Sequence, residues 1–165
     1  ADLLGELGAD LHRRVRDVRA LAHEVSPSPL DGVSLAEAVR ALARRFGTAE
    51  HEVQVQVDVP RTLPDGIQQA AFYIASEALT NAVRHAHADM IEVEIRGTAD
   101  GALQVRVADD GRGGVGAADP GIGLTSMRER AHRVGGSLSV TSHDRGTTVT
   151  ATLPEPASRH SRDAG

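Results

Sequence analysis

Ser76-Glu77-Ala78-Leu79-Thr80-Asn81-Ala82-Val83-Arg84-His85-Ala86-His87-Ala88 is the stretch that decides how this chain is read. Glu77 and Asn81 are one helical turn apart, and Arg84 and His85 follow one turn later, so at α-helical pitch they share a face. Ala78, Leu79, Ala82, Val83 and Ala86 fill the opposite side. A carboxylate, a carboxamide and cations on one face of an otherwise apolar helix have the chemistry to hold a metal and an anion. The pattern equally describes a solvated face of a surface helix. Taken alone, the stretch leaves both readings open.

Working outward, Pro64 is placed to open this helix at Asp65, with Ile67, Ala70, Ala71, Ile74, Ala78 and Leu79 turned inward. Before it, Val53, Val55, Val57 and Val59 alternate with polar residues, a strand stopped by Pro60. Earlier still, Ser34 with Glu37 three residues on forms a capping box for a helix of Leu35, Ala38, Val39, Leu42 and Ala43 that ends at Gly47. After the central helix, Ile91, Val93 and Ile95 mark a strand. Asp100-Gly101 is a hairpin signal, and Leu103, Val105 and Val107 form the returning strand. That strand runs into Asp109-Asp110-Gly111-Arg112-Gly113-Gly114. A second glycine loop, Pro120-Gly121-Ile122-Gly123-Leu124, opens a helix with Met127, Ala131 and Val134 inward, ended by Gly135-Gly136. Two strands finish the fold, one with Leu138 and Val140, the other with Val149, Ala151 and Leu153, turned by Asp144-Arg145-Gly146. Residues 2–25 read as a further helix with a stripe of Leu3, Leu7, Leu11, Val15, Val18, Leu21, Ala22 and Val25. The stripe suits a partner helix or the chain's own domain equally. Ser26-Pro27-Ser28-Pro29 ends it.

Composition bounds the classes. The chain has 165 residues, room for one domain with a core and an appendage. Aromatics are only 2%, so the core is expected to be Leu, Val, Ile and Ala. A net charge of −5 speaks against nucleic acid as partner. The absence of Cys excludes disulfides and thiol chemistry. No apolar run reaches the ~18 residues of a membrane span. Ala1-Asp2-Leu3-Leu4 lacks both a signal peptide's basic flank and an initiator Met, so a fragment of a longer protein is expected.

Two loops carry chemistry. In Asp109-x-Gly111-x-Gly113, a carboxylate at a strand end can accept from an exocyclic amine, and the glycines allow backbone to approach a flat ring or a phosphate. Gly121-x-Gly123 lies at a helix N-terminus, where free N–H groups favour phosphate. Each alone is also an ordinary glycine turn. No GxxxxGK[ST] loop is present, and the glycines do not follow the first strand of a parallel βαβ unit.

The order of these motifs resembles the GHKL ATPase superfamily of histidine kinases, Hsp90, gyrase B and MutL, with its N box, two G boxes and closing Gly-Thr segment, here Gly146-Thr147. Within it, Glu77-Ala-Leu-Thr-Asn81-Ala-Val-Arg-His85-Ala and Gly121-Ile-Gly-Leu-Thr-Ser-Met-Arg-Glu-Arg130-Ala, followed by Gly135-Gly136-Ser-Leu, look like the histidine kinases that partner NarL/LuxR-type response regulators. The resemblance spans roughly Asp17 to Pro154. It implies an α+β fold: a two-layer α/β sandwich with a mixed, mainly antiparallel sheet, helices on one face and an added N-terminal helix. It divides the chain into the end of a dimerisation hairpin (1–27), an ATP-binding catalytic domain (28–154) and a disordered tail (155–165). The implied function is transfer of the ATP γ-phosphoryl to a histidine on a dimerisation helix, for relay to a NarL/LuxR-type regulator. A homodimeric parent and a cytoplasmic location, as part of a membrane-bound sensor, go with it.

The resemblance also implies roles. Asn81 would ligate Mg²⁺ and Glu77 would act as general base. Arg84 and His85 would lie near the phosphates, with a solvated helix end as the other reading. Asp109 would take the adenine amino group, with Thr147 as its hydrogen-bonding neighbour. Gly111, Gly113, Gly121, Ile122, Gly123 and Leu124 would shape the ATP pocket and its lid, residues 114–120. His87 and Asp89 receive no role. The candidate phospho-acceptor, His12, is followed by Arg13 where the family has Asp or Glu. From His12 to Ser26 there is room for only part of one helix, so this segment resembles the second helix of the hairpin. The expectation is a chain that binds ATP without phosphorylating itself. Two other readings stand beside it: a serine kinase of the anti-sigma type, and a non-catalytic nucleotide-binding module.

Overall fold

The computed structural model describes residues 29–48, 51–59, 63–113 and 122–154. The first helix with His12, the lid residues 114–120, Gly121 and the tail from residue 155 lie outside these. The chain divides into two compact units between Val33 and Ser34. In the first, a turn is described over residues 29–33, closed by Val33 N–H donating to the Leu30 carbonyl.

The second unit opens on α1, Leu35–Phe46. Its capping box forms as the sequence predicts. The Ser34 hydroxyl accepts the Glu37 amide at 3.2 Å, and the Glu37 carboxylate accepts the Ser34 N–H at 2.9 Å. Two otherwise unpaired amides are thereby satisfied. Leu35, Ala38, Val39 and Ala43 form the buried stripe. Then come β1 (Glu52–Asp58) and α2 (Asp65–Asn81), which continues as a π-helical turn, Ala82–Ala86. The rest is β2 (Met90–Gly97), β3 (Leu103–Asp109), α3 (Ile122–Arg133), β4 (Ser137–His143) and β5 (Gly146–Leu153).

The five strands lie in the order β1-β2-β3-β5-β4. β1 pairs with β2 in parallel, and the other pairings are antiparallel. Register follows the apolar alternation, because a slip of one residue would turn every buried side chain to solvent. Val55 stands beside Val93, Val93 beside Val107, Val107 beside Val149 and Val149 beside Val140. This face, with Ile91, Ile95, Leu103, Val105, Ala151 and Leu153, is covered by helices. The opposite face carries Glu52, Gln54, Glu92, Arg106 and Thr150, with surface pairs such as Arg106–Glu92 at 3.3 Å. The α+β sandwich with helices on one face is therefore as the sequence implies.

α2 is the central piece of the helical layer. Ile67, Ala70, Ala71, Ile74, Ala75, Ala78 and Leu79 are buried, a stripe wide enough to meet the sheet and both neighbouring helices. Alanine at four of these positions lets the backbones approach closely. Leu, Val, Ile and Ala make up the core together with Met127. Burying each large aliphatic side chain is worth about 1.5–3 kcal/mol.

Candidate functional site

One end of the covered sheet face changes from apolar to polar, and the site lies there. Asp109 is the last residue of β3 and stands opposite Ile91, so its side chain leaves the sheet on the helix side. Thr147 and Ser142, paired across β5 and β4, point the same way, with their hydroxyls 3.1 Å apart. Among the described residues Thr147 is the one buried polar side chain.

Asp109 is held by backbone. Its Oδ1 accepts the Gly111 N–H at 3.1 Å and the Thr147 N–H at 3.2 Å. Among the described residues, Oδ2 accepts nothing. Burial raises the pKa of this carboxyl; the two amides oppose the rise, and Asp110 adds to it. The predicted Thr147 partnership is present, through the backbone amide rather than the hydroxyl.

The glycines around Asp109 are there for close approach. A Cβ on Gly111 would run into the Ala86 carbonyl and methyl, and one on Gly113 into the His143 carbonyl. Gly146, at φ +125°, would drive a Cβ into the carbonyl of Asp109 itself. The loop is thus clamped between the end of the π-turn and the β4–β5 turn. The Arg112 N–H donates to the Ala86 carbonyl at 2.9 Å and completes the clamp.

Glu77 and Asn81 share a face of α2, half-buried, as their spacing predicts. The first turn of α3 lies on them: a Cβ on Gly123 would meet the Glu77 carboxylate and stand 3.1 Å from the Asn81 Nδ2. Gly123 is therefore packed against Glu77 and Asn81. Leu124, one residue on, points into the core with Met127 and Ala131. Ile122 is half-exposed at the start of α3. Gly121 lies outside the described residues.

Arg84 and His85 fare differently. The helix changes pitch after Asn81, and both fall in the π-turn, exposed, with no described hydrogen bond. A spacing argument built on 3.6 residues per turn ends at Asn81, because each π-helical residue advances by a smaller angle. The turn closes at His87 in the left-handed conformation, φ 51°.

Sequence reading missed two features. Asp110 Oδ1 accepts the N–H groups of Asp89 and Met90, each at 2.9 Å, and so ties the glycine loop to the start of β2. The doubled acid Asp109-Asp110 was its only signal. The second is Arg130, whose guanidinium stands 4.6 Å over the ring of Tyr73. Tyr73 precedes Glu77 by one turn.

Glu77 and Asn81 present oxygen atoms on one face of α2. Among the described residues no three His, Asp or Glu cluster to hold a metal alone. A carboxamide and a carboxylate side by side suit Mg²⁺, which completes its shell from phosphate and water. Among the described residues no helix is long and apolar enough to cross a membrane.

Residues 66–157 match the family model described as histidine kinase-, DNA gyrase B-, and HSP90-like ATPase. The chain is 31% identical over 157 residues to the sensor histidine kinase MctS of Rhizobium johnstonii, covering 90% of this chain and 34% of the relative. It is 31% identical to the oxygen sensor histidine kinase NreB of Staphylococcus carnosus, covering 87% and 43%. With the histidine-protein kinase/phosphatase UhpB of Salmonella typhimurium the identity is 33%, covering 92% and 31%. The chain thus spans between about a third and two fifths of these relatives' length. In fold it is similar to the histidine kinase domain of a blue-light activated kinase from Erythrobacter litoralis, with TM-score 0.62 and 24% identity over 74% of this chain and 62% of that one.

Proposed function

Because this chain belongs to the histidine kinase-, DNA gyrase B-, and HSP90-like ATPases, we propose that its polar end binds Mg²⁺-ATP and serves as the catalytic ATP-binding domain of a sensor histidine kinase. The observation that carries the reading is the Asp109 carboxyl. One of its oxygens is fixed by the Gly111 and Thr147 amides, and the other is left to accept a ligand's N–H. A half-buried acceptor beside a glycine loop suits an exocyclic amine, as adenine has.

In this reading Asp109 holds the base, and Gly111, Gly113 and Gly146, by letting the loop pack against Ala86, His143 and the Asp109 backbone, hold that carboxyl in place. Asn81 offers its carboxamide oxygen to Mg²⁺. Glu77, beside it, accepts a proton or orients the group that attacks. Mg²⁺, when bound, neutralises charge on the β- and γ-phosphates. The first-turn amides of α3, at Ile122 and Gly123, serve the phosphates in this reading. Arg84 and His85 serve the phosphates from the exposed π-turn. Positioning and charge neutralisation supply most of the rate.

The names of the relatives, all sensor or signal-transduction histidine kinases, favour a histidine on a dimerisation helix as acceptor and a response regulator as the next partner. Similarity to NreB, UhpB and the NarS sensor kinase of Mycobacterium tuberculosis, 32% identical, is what favours a NarL/LuxR-type regulator in this reading; a homodimeric parent is part of the same proposal. In the same reading residues 1–27 are assigned to the dimerisation hairpin and 28–154 to the catalytic domain.

Calorimetric titration of ATP with and without Mg²⁺ tests the site. Tight binding that depends on Mg²⁺ is expected, with the Mg²⁺ increment lost in Asn81→Asp. Absence of ATP binding, or an increment unchanged in Asn81→Asp, overturns it.

A further inference from the structure

We propose that Asp110 is a positioning residue for base recognition: it holds the glycine loop against the exit of the π-turn, and so fixes the Gly111 amide that orients the Asp109 carboxyl. The ligand part of this inference rests on the adenine role proposed above for Asp109; the hydrogen-bonded path from Asp110 to Asp109 does not.

The path starts where β3 leaves the sheet. Asp109 stands opposite Ile91, and the Asp110 N–H donates to the Met90 carbonyl at 3.3 Å, as the next pair of the ladder would. In an unbroken antiparallel ladder the return bond runs from the Met90 N–H to the Asp110 carbonyl. Here the Met90 N–H donates instead to Asp110 Oδ1 at 2.9 Å, and the Asp89 N–H joins it on the same oxygen at 2.9 Å. The side chain thus stands in for its own carbonyl. The strand can end without leaving the Asp89 and Met90 amides unpaired, and the backbone is free to turn out of the sheet toward the π-turn.

The loop that follows grips the chain on both sides of His87. On one side Gly111 packs on Ala86, too close for a Cβ, and the Arg112 N–H donates to the Ala86 carbonyl at 2.9 Å. On the other side are the two amides held by Asp110. His87 itself has φ 51°, a left-handed backbone that is unfavourable for a residue with a Cβ and is kept by ties on its neighbours.

From this anchor the site is one residue away. The Gly111 N–H donates to Asp109 Oδ1 at 3.1 Å, and the Thr147 N–H is the other donor at 3.2 Å. Two donors on one oxygen set the plane of the carboxyl and hence the direction of Oδ2. With the Asp110 anchor gone, Gly111 is released, one donor remains, and the carboxyl can rotate about it. Asp110 is exposed and its Oδ1 is filled by two amides, so that oxygen serves the loop rather than a ligand. The role needs an acceptor at this position, not a charge.

Calorimetry on the 165-residue chain with Mg²⁺ compares ATP with purine riboside triphosphate, which lacks the exocyclic amine. The parent is expected to prefer ATP by about thirtyfold or more. Asp110→Ala should cut that preference about tenfold through weaker ATP binding, while the affinity for purine riboside triphosphate stays within about twofold of the parent's. Asp110→Asn, which keeps an oxygen acceptor in the same place, should stay within about threefold of the parent for both. Asp110→Glu, which keeps the charge and moves the acceptor, should behave as Asp110→Ala. Equal weakening of both nucleotides would make Asp110 a packing residue and overturn the proposal, as would Asp110→Asn behaving like Asp110→Ala. A second arm needs no nucleotide. In amide hydrogen exchange followed by NMR, Asp110→Ala and Asp110→Glu should lower the protection of the Gly111 amide about tenfold relative to that of Val105 in β3, and Asp110→Asn should restore it. Unchanged protection would overturn the anchor. A parent that binds both triphosphates alike defeats the adenine role of Asp109 instead, and the exchange arm still decides whether Asp110 holds the Gly111 amide.

Discussion

The Thr147 amide donates to Asp109 Oδ1 across the sheet at 3.2 Å, joining the end of β3 to the start of β5. The contact comes from register. Asp109 continues the inward-facing positions of β3, and Thr147 those of β5, at the point where both strands run out of apolar partners. A carboxylate placed in this way is shielded by its surroundings and yet anchored by amides.

Asp109→Asn separates binding from folding. The asparagine Oδ1 can keep both amide donors, but an NH₂ replaces the free oxygen and opposes a ligand amine. ATP affinity should fall about a hundredfold, equivalent to about 2–3 kcal/mol. The fold should not suffer. The raised pKa of Asp109 means the folded state binds its proton more tightly than the unfolded state. Stability therefore falls as pH rises from the ordinary carboxylate range through the raised value. The asparagine variant has no such loss and should melt no lower than the parent at pH 7 in calorimetry. Unchanged ATP affinity would remove Asp109 from the adenine site.

Gly123→Ala tests the Gly123–Glu77 contact. The added methyl meets the end of a movable side chain, and alanine is the better helix former by up to about 1 kcal/mol. Stability should hold or rise slightly, while Mg²⁺-ATP binding weakens about tenfold because Glu77 and Asn81 are pushed aside. Equal loss of both would make Gly123 a packing residue only.

Gly146→Ala, unlike Gly123→Ala, should cost stability. Here the methyl meets the Asp109 carbonyl, and the backbone at φ +125° is one that side chains avoid. A loss of about 3 kcal/mol or more in urea unfolding is expected, with the site lost alongside.

The capping box of α1 sets an acid dependence of opposite sign to that of Asp109. Hydrogen bonds from the Ser34 amide and hydroxyl hold the Glu37 pKa below its ordinary value of 4.5; desolvation opposes them, and Arg40 adds a lesser lowering. The folded state thus releases the proton more readily. The stabilisation is complete above the ordinary value and disappears as pH falls through the lowered one. The difference in urea midpoint between the parent and Glu37→Gln should be clear at pH 7 and vanish in acid. A constant difference would show that charge plays no part.

The periodic elements were legible because burial and alternation coincide. Val53, Val55 and Val57, or Ile91, Val93 and Ile95, could face only one way. The Glu77/Asn81 pair was legible because α-helical pitch holds as far as Asn81. Beyond that the sequence misleads. Nothing in Ala82-Val83-Arg84-His85-Ala86 announces a π-turn, in which Ala82 and Ala86 are buried. Arg84 and His85 were placed by a spacing that no longer applied. Asp110 and Arg130 stayed hidden for another reason. Their partners, Asp89, Met90 and Tyr73, are distant in sequence, and a long-range contact leaves no local period.

The parallel pairing of β1 with β2 also bears on how the molecule assembles. Glu52 stands beside Met90, so this ladder closes only after all of α2 and the π-turn have been threaded across it. β2–β3 and β4–β5 are joined by short turns and close far less chain. In pulse-labelled refolding, amide protection should appear in those two hairpins first and in β1 last. The helix carrying Glu77 and Asn81 lies inside the slow loop, so competence to bind nucleotide should be gained near the end of folding rather than with the first collapse.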